Sequence, residues 1–573
     1  MNVSTEATDD RVATLEGTFD EIHGSTYLER DSRGLARLGK SQVLKRRFGF
    51  LSIFGFSCCI LATWETALAL LGEAFSNGGP AGLAWGFPIV WMCSLSVYLC
   101  LAEMASIAPI SGGQYFWVAI LAPRKYKRFC GYLTGLLTSI AWIAVLAVGS
   151  IFTGTMVQGL IILNYPDYEP KALHGALLAW AVIAVSIFVN TVIAGLLPVL
   201  EGVILLIHIL GFIAIMTSLL YLSPHSSVED VFFRSVNGGN WPTQGLSYCI
   251  GFVGNVATFV GADAAVHMSE EIENAAMNVP RAIFTTVLLN GTMGWAMVLA
   301  ALFCLGDIES VINSPTGFPF IQIFYNGTGR AGATIMTAII IVMIWCAVIG
   351  FAATASRMTW SFARDHGLPF HHFIRKVDAR TRIPMVAVAV VNIIPCLLNL
   401  IYIGSPTAYN DVISMSVAGL YASYLIPCSF LLWRRVTGQI KPYGIDENPG
   451  AATFTGQDRQ SSVPGPLTME DDGDFETVLE EPELHWGPWR VPGLLGTINN
   501  SFACVFCVWV LFWGFWPPIT PVTKENMNYS VLVLGTIIIF AIARYFLGGK
   551  IGYRGPLVDY EVKGFATRRR AGV

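Results

Sequence analysis

Two carboxylates, Glu65 and Asp263, end long apolar runs in this 573-residue chain. The first run extends from Gly55 to Glu65, the second from Gly251 to Asp263, and both are rich in small and hydroxylic residues. A charged side chain deep in hydrocarbon costs about 2.5–3.5 kcal/mol even on an insertion scale. Neither of these two runs holds a Lys or Arg to offset that cost. The chemistry left open is capture of a cationic ligand, uptake of a proton, or capping of amide groups freed at a helix break. Around this pair, Trp64 offers a π-face for an ammonium group, or simply packs at an interface. His208 is a candidate proton relay, although a neutral histidine bonded to nearby backbone is the expected state. Asn255 bonds a ligand or ties helices together.

The elements that must hold these residues are membrane spans. Hydrophobic residues make up 54% of the chain and charged residues only 13%, against about 25% charged in soluble domains. Spanning the hydrocarbon core takes about 20 apolar residues. Twelve stretches meet that length, at approximately 49–72, 82–106, 132–163, 173–196, 198–222, 244–268, 281–305, 331–357, 383–403, 408–433, 494–516 and 528–548. The fold class is therefore an all-α polytopic membrane protein with 12 transmembrane helices. The first and sixth spans are interrupted by Gly and polar residues. By residue count, Glu65 falls somewhat outside the midplane and Asp263 somewhat inside it.

Thirty-one of the 35 Lys and Arg fall on one side of this arrangement and four on the other, Lys171, Arg234, Arg330 and Lys524. Under the positive-inside rule both termini are cytoplasmic. The chain divides into a disordered cytoplasmic tail (1–47), a core of ten spans (48–435), an acidic flexible cytoplasmic loop (436–490), two further spans (491–548) and a cytoplasmic tail (549–573). The polar first 47 residues lack a signal-peptide h-region, so the first span is expected to direct insertion. Asn326 and Asn528 head glycosylation sequons placed outside. All twelve Cys lie in or beside apolar stretches, so no disulfide framework is expected, nor a metal or redox role for Cys504 and Cys507.

Several function classes are excluded. The net charge of −4 provides no basic face for nucleic acid. No GxxxxGK[ST] loop or ATP-binding domain is present, and no Cys/His constellation suggests an enzyme or a cofactor.

Short strings then carry a resemblance. Asn77-Gly-Gly-Pro-Ala-Gly82 follows the first span, Leu101-Ala-Glu-Met-Ala-Ser106 closes the second, and Ser111-Gly-Gly-Gln-Tyr115 follows it. Ser269-Glu-Glu-Ile-Glu-Asn274 and Asn278-Val-Pro-Arg-Ala282 leave the sixth, while Ser356-Arg357, Ala363-Arg-Asp365 and Gly367-Leu-Pro369 leave the eighth. In order and spacing the chain resembles the amino acid–polyamine–organocation superfamily, and within it the fungal amino acid/choline permeases. The resemblance covers roughly residues 45–435. It implies a LeuT-type fold of a 5+5 inverted repeat plus two extra helices, with alternating-access import often coupled to protons. By position it implies substrate contacts from Ala62, Thr63, Trp64 and Glu65 in span 1, and from Phe259, Val260, Gly261 and Asp263 in span 6.

One departure bears on the substrate. Many relatives carry a Gly-Ser-Gly-like run where this chain has Ala62 to Glu65. A carboxylate there would repel a substrate carboxylate unless Glu65 holds a proton. The expected substrate is thus an amino acid or small amine, such as choline or 4-aminobutyrate, recognised through its cationic end, with Glu65, Asp263 and His208 as proton-coupling candidates. An exporter of a cationic metabolite, a channel and a non-transporting amino acid sensor are the alternatives. Saturable uptake separates a transporter from the last two. The plasma membrane is the first expectation for location and the vacuolar membrane the second. Glu270, Glu271 and Arg357 could pair as a cytoplasmic gate or stand as solvated helix ends.

Overall fold

A computed structural model describes residues 28–443, 484–549, 552–557 and 559. Among them the protein is all helix, without strands. Eleven segments are long and apolar enough to cross a membrane, each a run that buries its own backbone hydrogen bonds as a bilayer requires. The polytopic all-α expectation therefore holds. The expected span at 244–268 is not among the eleven, because it is broken into α8 (Gln244–Ala257) and the single turn α9 (Ala264–His267). The first span is also interrupted: α1 (Phe50–Leu61) and α2 (Thr63–Ala69) meet at Ala62, which adopts the left-handed conformation at φ 38°.

The remaining spans follow in order. They are α3 (Gly79–Ile107), α5 (Arg124–Asn164), α6 (Ala172–Thr191), α7 (Leu197–Leu222), α10 (Ala275–Phe303), α11 (Pro319–Arg364), α12 (Met385–Gly404), α13 (Pro406–Val436), α14 (Gly493–Trp513) and α15 (Ser530–Arg544). The short α4 (Gln114–Leu121) lies between α3 and α5. Several spans overrun their expected limits. The third begins eight residues early, at Arg124 rather than 132, because Pro123 starts the helix ahead of the apolar run. The eighth gains a helical extension from Pro319, kinked at Gly329 where φ is 69°.

Helix α5 is the most enclosed, packing against α4, α6, α11 and α13. The broken first span lies between α7 and α10. By contrast α7 buries a single stripe, Leu197, Glu201, Leu205, His208, Gly211, Ile215 and Leu219, and turns its other side chains outward. The α1–α7 contact is close at the backbone: a Cβ on Gly55 would stand 2.6 Å from the Glu201 carbonyl oxygen.

The segment 28–47, expected to be disordered, is ordered. Residues 28–37 form a helix, and the backbone N–H groups of Arg47 and Phe48 donate to the Glu271 carbonyl at 2.8 and 3.1 Å. Arg46 also donates to the Ile272 carbonyl oxygen. The low apolar content that argued for disorder is offset by hydrogen bonds and charge pairs that only the folded core supplies. Residues 1–27 and 444–483, the rest of the expected tail and most of the acidic loop, lie outside the described residues.

Candidate functional site

The two helix breaks face each other across α1. The α8–α9 break descends through turns in which Thr258, Phe259 and Val260 donate to carbonyls three residues back. It then passes through Gly261 at φ 113°, where a Cβ would stand 3.2 Å from Ile60 Cγ2 at the end of α1. Thr63 Cγ2 lies 2.8 Å from the position a Cβ on Gly294 of α10 would take. Phe87, Tyr98 and Trp142 frame the sixth-span break: the Phe87 ring is 5.1 Å from that of Phe259, and Tyr98 Oη donates to the Phe259 carbonyl. Trp142 Cη2 lies 3.7 Å from a Cβ built on Gly261. Residues at or beside the breaks carry buried polar atoms without hydrogen-bond partners, among them Thr63 Oγ1, Asn255 Nδ2 and Trp142 Nε1.

Glu65 and Asp263 both lie fully buried, yet they serve different neighbourhoods. Glu65 Oε1 lies 2.7 Å from His208 Nδ1 on α7. Trp64 Nε1 lies 3.2 Å from the same ring nitrogen. Glu65 Oε2 and His208 Nε2 have no partner. His208 is thus bonded to side chains of the first span rather than to nearby backbone, and Trp64 presents its N–H to that histidine. The imidazole also supplies the partner that no Lys or Arg could.

Asp263 turns toward other helices. Its Oδ1 accepts from Tyr424 Oη on α13 at 2.6 Å, and its Oδ2 accepts from Gln114 Nε2 of α4 at 2.7 Å. His267 Nε2 lies 3.4 Å from Oδ2, close enough for a charge contact but without hydrogen-bond geometry. Both carboxylate oxygens being occupied, Asp263 ties the sixth-span break to α4 and α13. Tyr424→Phe should leave Oδ1 without its buried donor, a loss of about 1–3 kcal/mol, readable as a lower unfolding midpoint in detergent.

Sequence reasoning singled out neither Gln114 nor Tyr424. Gln114 stands within Ser111-Gly-Gly-Gln-Tyr115, which carries the family resemblance and in which Gly113 has φ 51°. Tyr424 carries no local signal, since a tyrosine in an apolar span reads equally well as packing.

Beyond the breaks, buried ion pairs gather at the end of the bundle that holds the N-terminal segment. Arg364 grips Glu270 with two nitrogens at 2.8 and 3.0 Å, and Arg357 Nε meets Glu271 at 2.7 Å. Glu103 pairs with Arg435, and Lys40 with Asp365. The expectation of solvated helix ends therefore gives way to pairing, because these charges face one another beneath the bundle. Of the sequon residues, Asn326 is exposed and accepts from Gln322 at 2.8 Å, whereas Asn528 Nδ2 donates to the Gly514 carbonyl at 2.9 Å.

Two broken helices with polar groups at the breaks are what a site for a small solute requires, and comparison with known proteins agrees. The family model for amino acid permeases matches residues 48–539. A candidate amino acid/polyamine transporter of Macrophomina phaseolina is 30% identical over 83% of this chain and 96% of its own length. The choline transporter of Saccharomyces cerevisiae is 27% identical over 91% of this chain and 85% of its own. The GABA-specific permease of the same yeast is 27% identical over 70% and 72%. With the match running from the first span through the last, the chain belongs to the amino acid permease family.

Proposed function

We propose that the protein is a secondary permease carrying an amino acid or small amine, such as choline or 4-aminobutyrate, across a membrane by alternating access coupled to protons. In this reading the broken α8–α9 pair completes twelve spans, arranged as a 5+5 inverted repeat with α14 and α15 added. Both termini are cytoplasmic and the plasma membrane is the place of action. Ala62, Thr63, Trp64 and Glu65 contact the substrate from one break, and Phe259, Val260 and Gly261 from the other. Asp263 acts there chiefly by holding the second break in shape.

The Glu65–His208–Trp64 cluster carries the reading. Trp64 Nε1 and Glu65 Oε1 both approach His208 Nδ1, at 3.2 and 2.7 Å, and in this reading one proton is shared between the Glu65 carboxyl and the imidazole. A cationic substrate reaching Oε2 would favour the ionised form and release that proton; a substrate carboxylate would favour the neutral one. Either way, substrate and proton meet at one group.

The test is uptake of labelled choline, 4-aminobutyrate and alanine in permease-deficient cells, at two pH values, for wild type and Glu65→Gln. A loss of about tenfold or more in uptake, with the pH dependence flattened, is expected for the substrate recognised through its ammonium. Saturable uptake that survives the substitution would remove Glu65 from recognition while leaving the family unchanged.

A further inference from the structure

Among the described residues, Glu201 is a buried carboxylate of the membrane region that the reading above does not use and that, unlike Glu103, has no ion-pair partner. It stands in the second turn of α7, 1% exposed, on the stripe that continues through Leu205 to His208. It lies seven positions before His208, so the two side chains share a helix face about two turns, or roughly 10 Å, apart. Neither carboxylate oxygen has a hydrogen-bond partner. The α1 backbone presses against α7 at this level, through Gly55. Sequence analysis passed over Glu201, although its spacing from His208 was the available signal.

The groups facing it narrow its role. Cys59 of the first span and Cys346 of α11 both lie within electrostatic reach of Glu201 and of Glu65. No Lys, Arg or His pairs with it among the described residues; Arg47 stands near the start of the helix, 3.7 Å from a Cβ built on Gly195. A permanently ionised carboxylate there would carry the full desolvation cost without relief. A hard metal cation would need a shell of oxygens, and the neighbours supplied are thiols and a glycine. The ligand that suits one carboxyl among thiols is a proton.

We propose that Glu201 is a second proton-carrying residue of the transport cycle, set on the cytoplasmic side of the Glu65–His208 pair and exchanging protons with it along the α1–α7 seam. The step moves one proton from the imidazole or carboxyl of the upper pair to the Glu201 carboxylate, leaving the upper pair free to be reloaded. This rests on the proton coupling proposed above.

Full-length protein in proteoliposomes separates the two ideas. The probe is whichever of choline, 4-aminobutyrate or alanine the wild type exchanges, followed by counterflow and by accumulation driven by an imposed pH gradient, with substrate-induced proton influx read by a trapped pH dye. Glu201→Gln should keep counterflow near wild type while accumulation and proton influx fall at least about tenfold, and Glu201→Asp should restore part of both. Glu201→Met, which fills the same volume without polarity, should behave as Glu201→Gln and guards against a folding artefact. Unchanged proton influx in Glu201→Gln and Glu201→Met overturns the proposal. Equal loss of counterflow and accumulation in monodisperse Glu201→Gln and Glu201→Met protein overturns it too, by making the residue structural. Absence of proton influx in the wild type overturns the coupling reading, and this inference with it.

Discussion

Asp365→Asn should lower stability by about 3–5 kcal/mol, the usual loss when one partner of a buried ion pair is removed. Asp365 and Lys40 are paired with both side chains fully enclosed. Burial pushes the Lys40 ammonium below its ordinary pKa and Asp365 opposes that shift. Asp365 also accepts from Tyr115 Oη at 2.8 Å and from the Leu557 backbone N–H at 3.0 Å. The same carboxylate thus holds the N-terminal segment, α4 and the C-terminal segment beneath the bundle. Next to it, Ser41 N–H and Oγ donate to Asp559 at 2.8 and 2.9 Å, closing the two ends of the chain on each other. The measurement is the unfolding midpoint of purified protein in detergent. The double change Lys40→Met with Asp365→Leu should recover much of the loss, since apolar replacement of a buried pair is often neutral or better. A midpoint within experimental error of wild type for Asp365→Asn would show that solvent reaches the pair.

The second large effect is expected at Gly251. A Cβ there would lie 1.7 Å from the Asn77 carbonyl oxygen and 2.8 Å from its carbon, with the Ala74 carbonyl at 3.3 Å. These are backbone atoms at the turn after the first span, where Gly78 and Gly79 take φ values of 146° and 68°. They have no rotamer to escape by. Small residues at such crossings let membrane helices approach closely, and α8 uses Gly254 in the same way, with Ala74 Cβ at 3.1 Å from its would-be Cβ. Gly251→Ala must move α8 bodily, and with it the attached break at 258–263. Overpacking of this kind costs about 1–3 kcal/mol and more where backbone cannot yield. Uptake should fall to background even where protein reaches the membrane. Gly245→Ala on the same helix meets nothing within 4 Å and should transport normally; equal uptake by both variants would remove the close approach as the cause.

What the sequence determined by itself was the material and its broad placement. Length and apolarity of the runs dictated membrane helices, because a backbone in lipid has few ways to satisfy its hydrogen bonds. The same logic marked the sixth run as interrupted, since Gly261 and the polar residues around it weaken a continuous helix. Glu65 and Asp263 stood out through the cost of burying them. The break at Ala62 was less legible, because alanine favours helix and only the packed neighbours hold it at φ 38°.

The pairings were decided by tertiary structure alone. Glu65 finds His208 across 143 residues, and Asp263 finds Gln114 and Tyr424 across 149 and 161. Which residues meet depends on how each helix is rotated and how far it slides along its neighbour. A helix that is apolar nearly all round, as α7 is, carries little in its own pattern to set that rotation. Its buried stripe, with Glu201 and His208 on it, exists only because Gly55 lets α1 lie against it. For the same reason the N-terminal segment reads as disordered by composition and is ordered by contact. Lys40 is satisfied by Asp365 and Arg46 by Asp31 and the backbone near Ile272, groups that the chain brings together only after the bundle has formed.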